Sequence, residues 1–350
     1  MDPVLLTIQV MLGGLGLLGV ATGDPTVMFE HGTRFLGGLL LTIAVSHIKP
    51  RVVIKYSPVL YIGTLLLLVL VLFIGVSPVG SDSKRWLDLG VFTFQPSEIM
   101  KVAVIAYLAA FFHNHIDQAP AWRPILVIGA ACGLIVLQPD LGTSVFIFLL
   151  ALGIMFIGPV KPQKVIAVGA LALVVGGLLG SLLLSDFTYF ADRLESFFDL
   201  HGEQELTQDV SYQAVQARRT IMRAGLTGFG PGRPSVVPEA ETDMVAIAVT
   251  QSLGLIGIGT VITLVLLFGI RGIKIASTLN GPGSLLAAGA TIYICGQAGV
   301  NLAVASGLIP ITGIPLPFLS YGLNSLVSTA VACGFIHSAY RQVKLAEQPL

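Results

Sequence analysis

Apolar runs long enough to cross a membrane recur along almost the whole chain, separated mostly by short polar links. The hydrocarbon core of a bilayer is roughly 30 Å thick, which takes about 20 predominantly apolar residues as a helix. Backbone groups find no water there, so such a run adopts a helix that satisfies its own hydrogen bonds. Of the 350 residues, 54% are hydrophobic and 11% charged, where a soluble domain carries roughly a quarter charged residues. The length alone would allow two soluble domains. The fold expected is instead all-α, a polytopic membrane protein read as a single transmembrane domain over residues 1–350.

The runs predict about ten membrane helices. They cover Val4–Val20, Thr33–His47, Ser57–Val76, Pro96–Phe112, Pro124–Leu137, Leu141–Ile157, Gln163–Leu184, Met244–Phe268, Ser284–Leu308 and Pro317–Tyr340. The fifth and sixth look short, and Gln138-Pro139-Asp140 breaks the run between them. Lys and Arg concentrate in cytoplasmic loops, so their distribution orients the chain. Alternate links collect Lys49, Arg51 and Lys55, then Arg123, Lys161 and Lys164, then Arg271 and Lys274, then Arg341 and Lys344. The opposite short links hold only Lys84 and Arg85, with Arg34 near a helix end. Both termini are therefore expected in the cytoplasm. Met1-Asp2-Pro3 leads into apolar residues without a basic stretch, so the first run reads as a retained helix.

One link breaks the pattern. Residues 185–243, between the seventh and eighth helices, are polar and charged and fall on the outer side. Loops of this length in compact proteins are functional or disordered. Val210–Ala224 sets Val215, Ile221 and Met222 among Arg218, Arg219 and Arg223, which suits a helix lying at the membrane interface.

Ionisable groups at membrane depth are costly and mark candidate sites. Glu98 and Lys101, three residues apart, share a helix face, and Asp140 sits at the broken junction. A lysine at that depth needs an anion, and either carboxylate would serve. The three would line a polar cavity, or pin two helices as a structural ion pair. In the outer loop, Arg193, Arg218, Arg219, Arg223 and Arg233 offer the permanent charge and forked donors that suit a pyrophosphate, although a solvated, charge-balanced loop has the same composition. Pro238-Glu239-Ala240-Glu241-Thr242-Asp243 gathers three carboxylates where the eighth helix begins. On spacing alone, Thr242 or Asp243 would cap that helix, with the acids favoured by its dipole.

Other chemistries find no support. Cys132, Cys295 and Cys333 lie inside apolar runs without metal-ligand spacing and read as small buried hydrophobes. His113 and His115 would not face each other on a helix. No P-loop, dinucleotide fingerprint or zinc-peptidase motif is present. Zero net charge gives no bulk attraction to nucleic acid.

Several ordered blocks carry a resemblance. They are Arg85-Trp86-Leu87-Asp88-Leu89-Gly90; Gln95-Pro96-Ser97-Glu98 with Lys101; Gln138-Pro139-Asp140-Leu141-Gly142-Thr143; Pro238-Glu239 with Thr242-Asp243; and Gly307 through Phe318 with Ser320-Tyr321-Gly322. Together the chain resembles the SEDS family (shape, elongation, division and sporulation), and its Arg-Trp-Leu-Asp-Leu-Gly and Ile-Thr-Gly-Ile-Pro-Leu-Pro-Phe forms resemble the elongation branch, RodA, more than the division branch, FtsW. The resemblance implies a ten-helix glycosyltransferase of the bacterial cytoplasmic membrane that polymerises lipid II into peptidoglycan at the outer face, for cell elongation and shape. It implies a class B penicillin-binding protein as partner, Asp243 as the essential acid, and Glu98, Lys101 and Asp140 as functional intramembrane charges. Arg85, Arg193 and Arg218 join these as candidate substrate or cavity charges. No metal ligand is assigned; a divalent cation, Mg or Mn, stands beside the arginines and Lys101 as a candidate for steadying the pyrophosphate.

The sequence departs from the family pattern at Glu241, where histidine is usual, and at Gln251-Ser252, where an acidic pair is usual. Leu323-Asn324 and the thinned glycine stretch Ala224-Gly225-Leu226 depart as well. Two other readings stay open: a lipid II flippase or transporter, whose broken helices and buried charges would look alike, and a non-catalytic scaffold for the penicillin-binding protein.

Overall fold

The computed structural model describes residues 1–77, 83–90, 92–115, 122–183 and 209–346. Its helices are α1 (Pro3–Gly23), α2 (Met28–Ser46), α3 (Pro50–Ile74), α4 (Pro96–Asn114), α5 (Trp122–Val136), α6 (Leu141–Ile157), α7 (Pro162–Leu183), α8 (Asp209–Ala224), α9 (Val245–Ser277), α10 (Pro282–Ala305) and α11 (Leu323–Ala346). Each of the ten expected spans corresponds to one of these, and α8 is the additional amphipathic helix of the long loop. A short antiparallel ribbon pairs Leu87 with Phe94 and Asp88 with Thr93, just ahead of α4.

Proline opens α1, α3, α4 and α10, where its fixed φ fits a helix start and its missing N–H is no loss. The bundle is apolar inside and out. Phe73, Val59, Leu66, Leu266 and Ile270 are each at least 60% exposed, which only a hydrocarbon solvent tolerates on this scale. By contrast α4 is buried from Met100 through Ala109, with Tyr107 alone half-buried in that stretch. It is the central post of the bundle, so Glu98 and Lys101 enter the interior with it.

Helix ends differ from the sequence expectation where tertiary contacts decide them. α2 begins at Met28 instead of Thr33, because Glu30 and Arg34 pair with each other along its first turns. α9 runs on past Phe268 to Ser277, its Arg271 neutralised by Asp2 at 2.6 Å. α11 starts at Leu323 instead of Pro317: Phe318 takes a φ of 67° and the Ser320 hydroxyl accepts from the Leu316 N–H at 2.8 Å, forming a turn where a helix was expected.

The two ends of the bundle are distinct. At one, Arg271 donates to Asp2, and the Ser338 hydroxyl donates to the Ile48 carbonyl. At the other, α1 approaches the segment before α9 so closely that a Cβ on Gly23 would lie 2.6 Å from the Glu241 nitrogen. Glycine there permits the contact.

Candidate functional site

Three backbone carbonyls in a row define the Asp243 segment. Glu241 O accepts from the Tyr321 N–H at 2.8 Å, Thr242 O from the Ser320 hydroxyl at 2.6 Å, and Asp243 O from Asn301 Nδ2 at 2.7 Å. The donors come from α10 and the turn before α11. The tripeptide is therefore fixed from outside itself, and half-buried Asp243 is set beside Gly313. Gly313 is exposed and adopts a φ of 70°, and a Cβ on it would lie 3.4 Å from Asp243 Oδ2. A glycine leaves that side of the carboxylate open to approach.

The helix cap expected of Thr242 or Asp243 is not formed. The N-cap of α9 is Met244, with no side-chain cap bond, because the chain turns first. Glu239 takes a φ of 55°, its carbonyl accepts from the Met244 N–H at 2.9 Å, and its carboxylate accepts from the Thr242 hydroxyl at 2.7 Å. Burial pushes the Glu241 carboxyl up from its ordinary value, and the nearby Glu239 and Asp24 charges add to this.

The charges expected to form one triad separate into two pairs. Lys101 Nζ donates to Glu98 Oε1 at 2.7 Å and to Gln297 Oε1 at 2.9 Å, with the Phe146 and Tyr293 rings 5.6 and 5.7 Å away. Glu98 Oε2 accepts from the Ser328 hydroxyl at 3.0 Å. Lys101 is 0% exposed, so it opens onto no cleft in this structure. Asp140 instead faces Arg85, with a 3.9 Å separation. It also accepts from the Thr143 N–H at 3.2 Å, capping α6. Arg85 spends its other donors on the carbonyls of Gln138, at 3.1 Å, and Pro139. The break between α5 and α6 is thus held by an arginine fork, with Arg85 as its clamp.

The segment 311–316 lies between these parts. A Cβ on Gly142, beside the break, would sit 2.8 Å from Thr312 O. Asn301 Nδ2 donates to Ile314 O at 2.8 Å, and Gln297 Nε2 to Pro315 O at 2.9 Å. Sequence reasoning passed over Gln297 and Asn301, although the signal was present: two amides four residues apart on one face of an apolar helix.

α8 packs along α9, with Ala217, Thr220 and Ala224 buried and Arg218, Arg219 and Arg223 exposed. The following loop enters a break in α9. At Gly254 (φ 65°, ψ −156°) the helix interrupts itself. Phe229 and Gly230 donate to the carbonyls of Gln251 and Ser252, while Leu255 and Ile256 donate to Gly225 and Leu226. Four backbone groups beside the break are thus bonded by the loop. Gln251 and Ser252, the positions that depart from the family pattern, are also occupied: Gln251 Nε2 donates to Arg233 O at 2.9 Å, and the Ser252 hydroxyl meets Thr22 Oγ1 at 2.6 Å. Arg193 lies outside the described residues. Among the described residues no three His, Cys, Asp or Glu side chains gather closely enough to hold a metal.

Known proteins share this sequence pattern and architecture. The probable peptidoglycan glycosyltransferase FtsW of Methylomonas methanica is 31% identical, over 97% of this chain and 91% of that protein. The peptidoglycan glycosyltransferase MrdB of Escherichia coli K12 is 29% identical, over 99% and 95%. A chain of a peptidoglycan synthase complex, solved to explain how polymerization and crosslinking are coordinated, superimposes with a TM-score of 0.81 at 26% identity, covering 98% of each chain. RodA of Thermus thermophilus shares the fold, with a TM-score of 0.71 at 24% identity over 99% and 98% of the two chains. A family model described as cell cycle protein, covering FtsW, RodA and SpoVE, matches residues 19–345, and the chain belongs to that family.

Proposed function

We propose that this chain is the polymerase of peptidoglycan strands at the outer face of a cytoplasmic membrane, with lipid II as substrate and Asp243 as general base. The observation that carries the reading is the Asp243 carboxylate beside exposed Gly313, on a tripeptide whose three carbonyls are each bonded from outside. The basic residues support the orientation: Lys49, Arg51, Arg271, Lys274 and Arg341 gather at the end opposite Asp243, which makes that end cytoplasmic.

In the reaction, the acceptor sugar hydroxyl gives its proton to Asp243 as its oxygen attacks the anomeric carbon of the donor. The bond from that carbon to the pyrophosphate oxygen breaks, and the electron pair leaves with the polyprenyl pyrophosphate. Such a leaving group needs no general acid, so one carboxylate serves where a glycoside hydrolase uses two. A positioned base contributes typically about 10²–10⁴-fold. The exposed arginines of α8, Arg218 among them, are the described groups suited to receive the pyrophosphate. A divalent cation bound to the pyrophosphate would take phosphate oxygens as its main ligands and add to the charge the arginines supply.

A class B penicillin-binding protein is the proposed partner, supported by the synthase complex that this chain resembles. The test is Asp243→Asn, which removes charge with little change in size. Purified with its partner and given lipid II, the variant is expected to fold and bind the partner normally and to make no glycan. Full activity in that variant would remove Asp243 as the base. Lipid II crossing vesicles without glycan product would favour a transporter, and activity restored by the partner alone would favour a scaffold.

A further inference from the structure

The buried ion pair on α4 and the Asp243 turn are joined by hydrogen bonds on either side of one covalent link, the backbone of Ile314 and Pro315. Lys101 Nζ donates to Gln297 Oε1 at 2.9 Å, and Gln297 Nε2 donates to Pro315 O at 2.9 Å. One helical turn along α10, Asn301 Nδ2 divides its donors between Ile314 O, at 2.8 Å, and Asp243 O, at 2.7 Å. Gln297 is 0% exposed and Asn301 1%. Two amides on one helix face thus grip adjacent carbonyls of the same loop, 314 and 315, and one of them also grips Asp243.

The chemistry of each group suits its place. Pro315 and Pro317 have no N–H, so this loop cannot tie itself down as a helix or strand would. Its carbonyls need donors from elsewhere. A glutamine presents an acceptor and donors from one side chain, so the same residue that receives the ammonium can hold the loop. Lys101 fixes which way the amide points, because only the oxygen can accept from an ammonium.

We propose that Gln297 and Asn301 are positioning residues for the polymerase reaction: they carry the constraint of the Lys101–Glu98 pair to the Asp243 backbone and to the Gly313 floor beside its carboxylate. Lys101 then influences catalysis without touching substrate, which agrees with its complete burial. The placement of the Asp243 backbone sets where its carboxylate reaches, and an error of about 1 Å in a reacting group can cost on the order of 10²-fold in rate.

This inference rests on the reading of Asp243 as the base, so Asp243→Asn is run beside it. Asn301→Leu keeps the approximate size and loses both donated bonds. Asn301→Thr keeps a shorter donor. Gln297→Glu keeps the acceptor for Lys101 and loses the donor to Pro315. Each is purified with the partner and assayed for glycan formation across lipid II concentrations. Expected are a fall of about 10²-fold in kcat for Asn301→Leu, a smaller fall for Asn301→Thr, and an intermediate one for Gln297→Glu, all with KM near the parent value. The double variant of Asn301→Leu with Gln297→Glu should lose less than the product of the single losses, because both act through one loop.

Wild-type kcat in folded Asn301→Leu, with Asp243→Asn inactive, would overturn the positioning role while leaving the base intact. Losses that appear in KM alone, or that multiply independently in the double variant, would overturn it too. Failure of all three single variants to fold would show the amides to be purely structural and would equally overturn it. Activity in Asp243→Asn would instead defeat the underlying reading, whatever the amide variants do.

Discussion

Arg85 faces Asp140 at 3.9 Å at the break between α5 and α6, and bonds the carbonyls of Gln138 and Pro139 within that break. Pro139 is held at a φ of 28°, outside the range the proline ring prefers. The arginine therefore does two jobs at once: it satisfies carbonyls that no helix bond reaches, and it neutralises a carboxylate near membrane depth.

Arg85→Lys tests the fork. Lysine keeps the charge but cannot span two carbonyls and a carboxylate with planar geometry. Leaving the part-buried Gln138 carbonyl without its partner costs about 1–3 kcal/mol, so the thermal midpoint in detergent should fall. Asp140→Asn should be milder than Asp140→Ala, because asparagine still caps α6 and alanine forfeits about 1 kcal/mol of cap. Equal midpoints for Arg85→Lys and the parent would refute the clamp.

The α4 pair makes a different prediction. Lys101→Met leaves Glu98 buried without its cation, and Glu98→Gln leaves Lys101 without its anion. Breaking a buried pair from one side costs about 3–5 kcal/mol, so each single variant should be poorly stable. The double variant should recover part of that stability, read as a positive interaction in a double-mutant cycle of thermal midpoints. Additive losses would show that the two charges are not energetically coupled.

Gly254→Ala tests the splice between α9 and the loop. The residue has a φ of 65°, and a Cβ would meet Leu226 and Gly228 backbone atoms at 2.4 Å. Neither neighbour is a flexible side chain, so the loop must move out and expose four backbone groups. Strain at such a backbone position alone costs about 1–3 kcal/mol. Proteolysis of the 225–230 loop should accelerate sharply in the variant, and an unchanged cleavage rate would contradict the splice.

Glu241 gives a pH test. Its folded pKa is raised above the ordinary 4.5, chiefly by burial, so folding favours its protonated form. The group's favourable contribution is complete below the unfolded value of 4.5 and is lost as pH rises through the folded value. Glu241→Gln should therefore raise the thermal midpoint at neutral pH, and that gain should vanish when the comparison is repeated below pH 4.5. A gain of the same size at both pH values would rule out this cause.

Much of the architecture was written along the chain. Runs such as Leu141–Ile157 are apolar over the length of a membrane crossing, and hydrophobic length is a local property that any window reveals. The break at Gln138-Pro139-Asp140 was equally local, since proline cannot continue a helix. Asp243 stood out as a candidate only through the family resemblance of its neighbours. Which anion answers Lys101 was not, because Glu98 and Asp140 are both near in the bundle and only the packing of α4 against α10 and α11 assigns Glu98 to it. Nor was the state of Asp243: local spacing suggested a helix cap, while the structure bonds its carbonyl to Asn301, 58 residues away. Hydrogen bonds between distant segments depend on where helices pack, and a linear pattern carries the polarity of a residue without its partner.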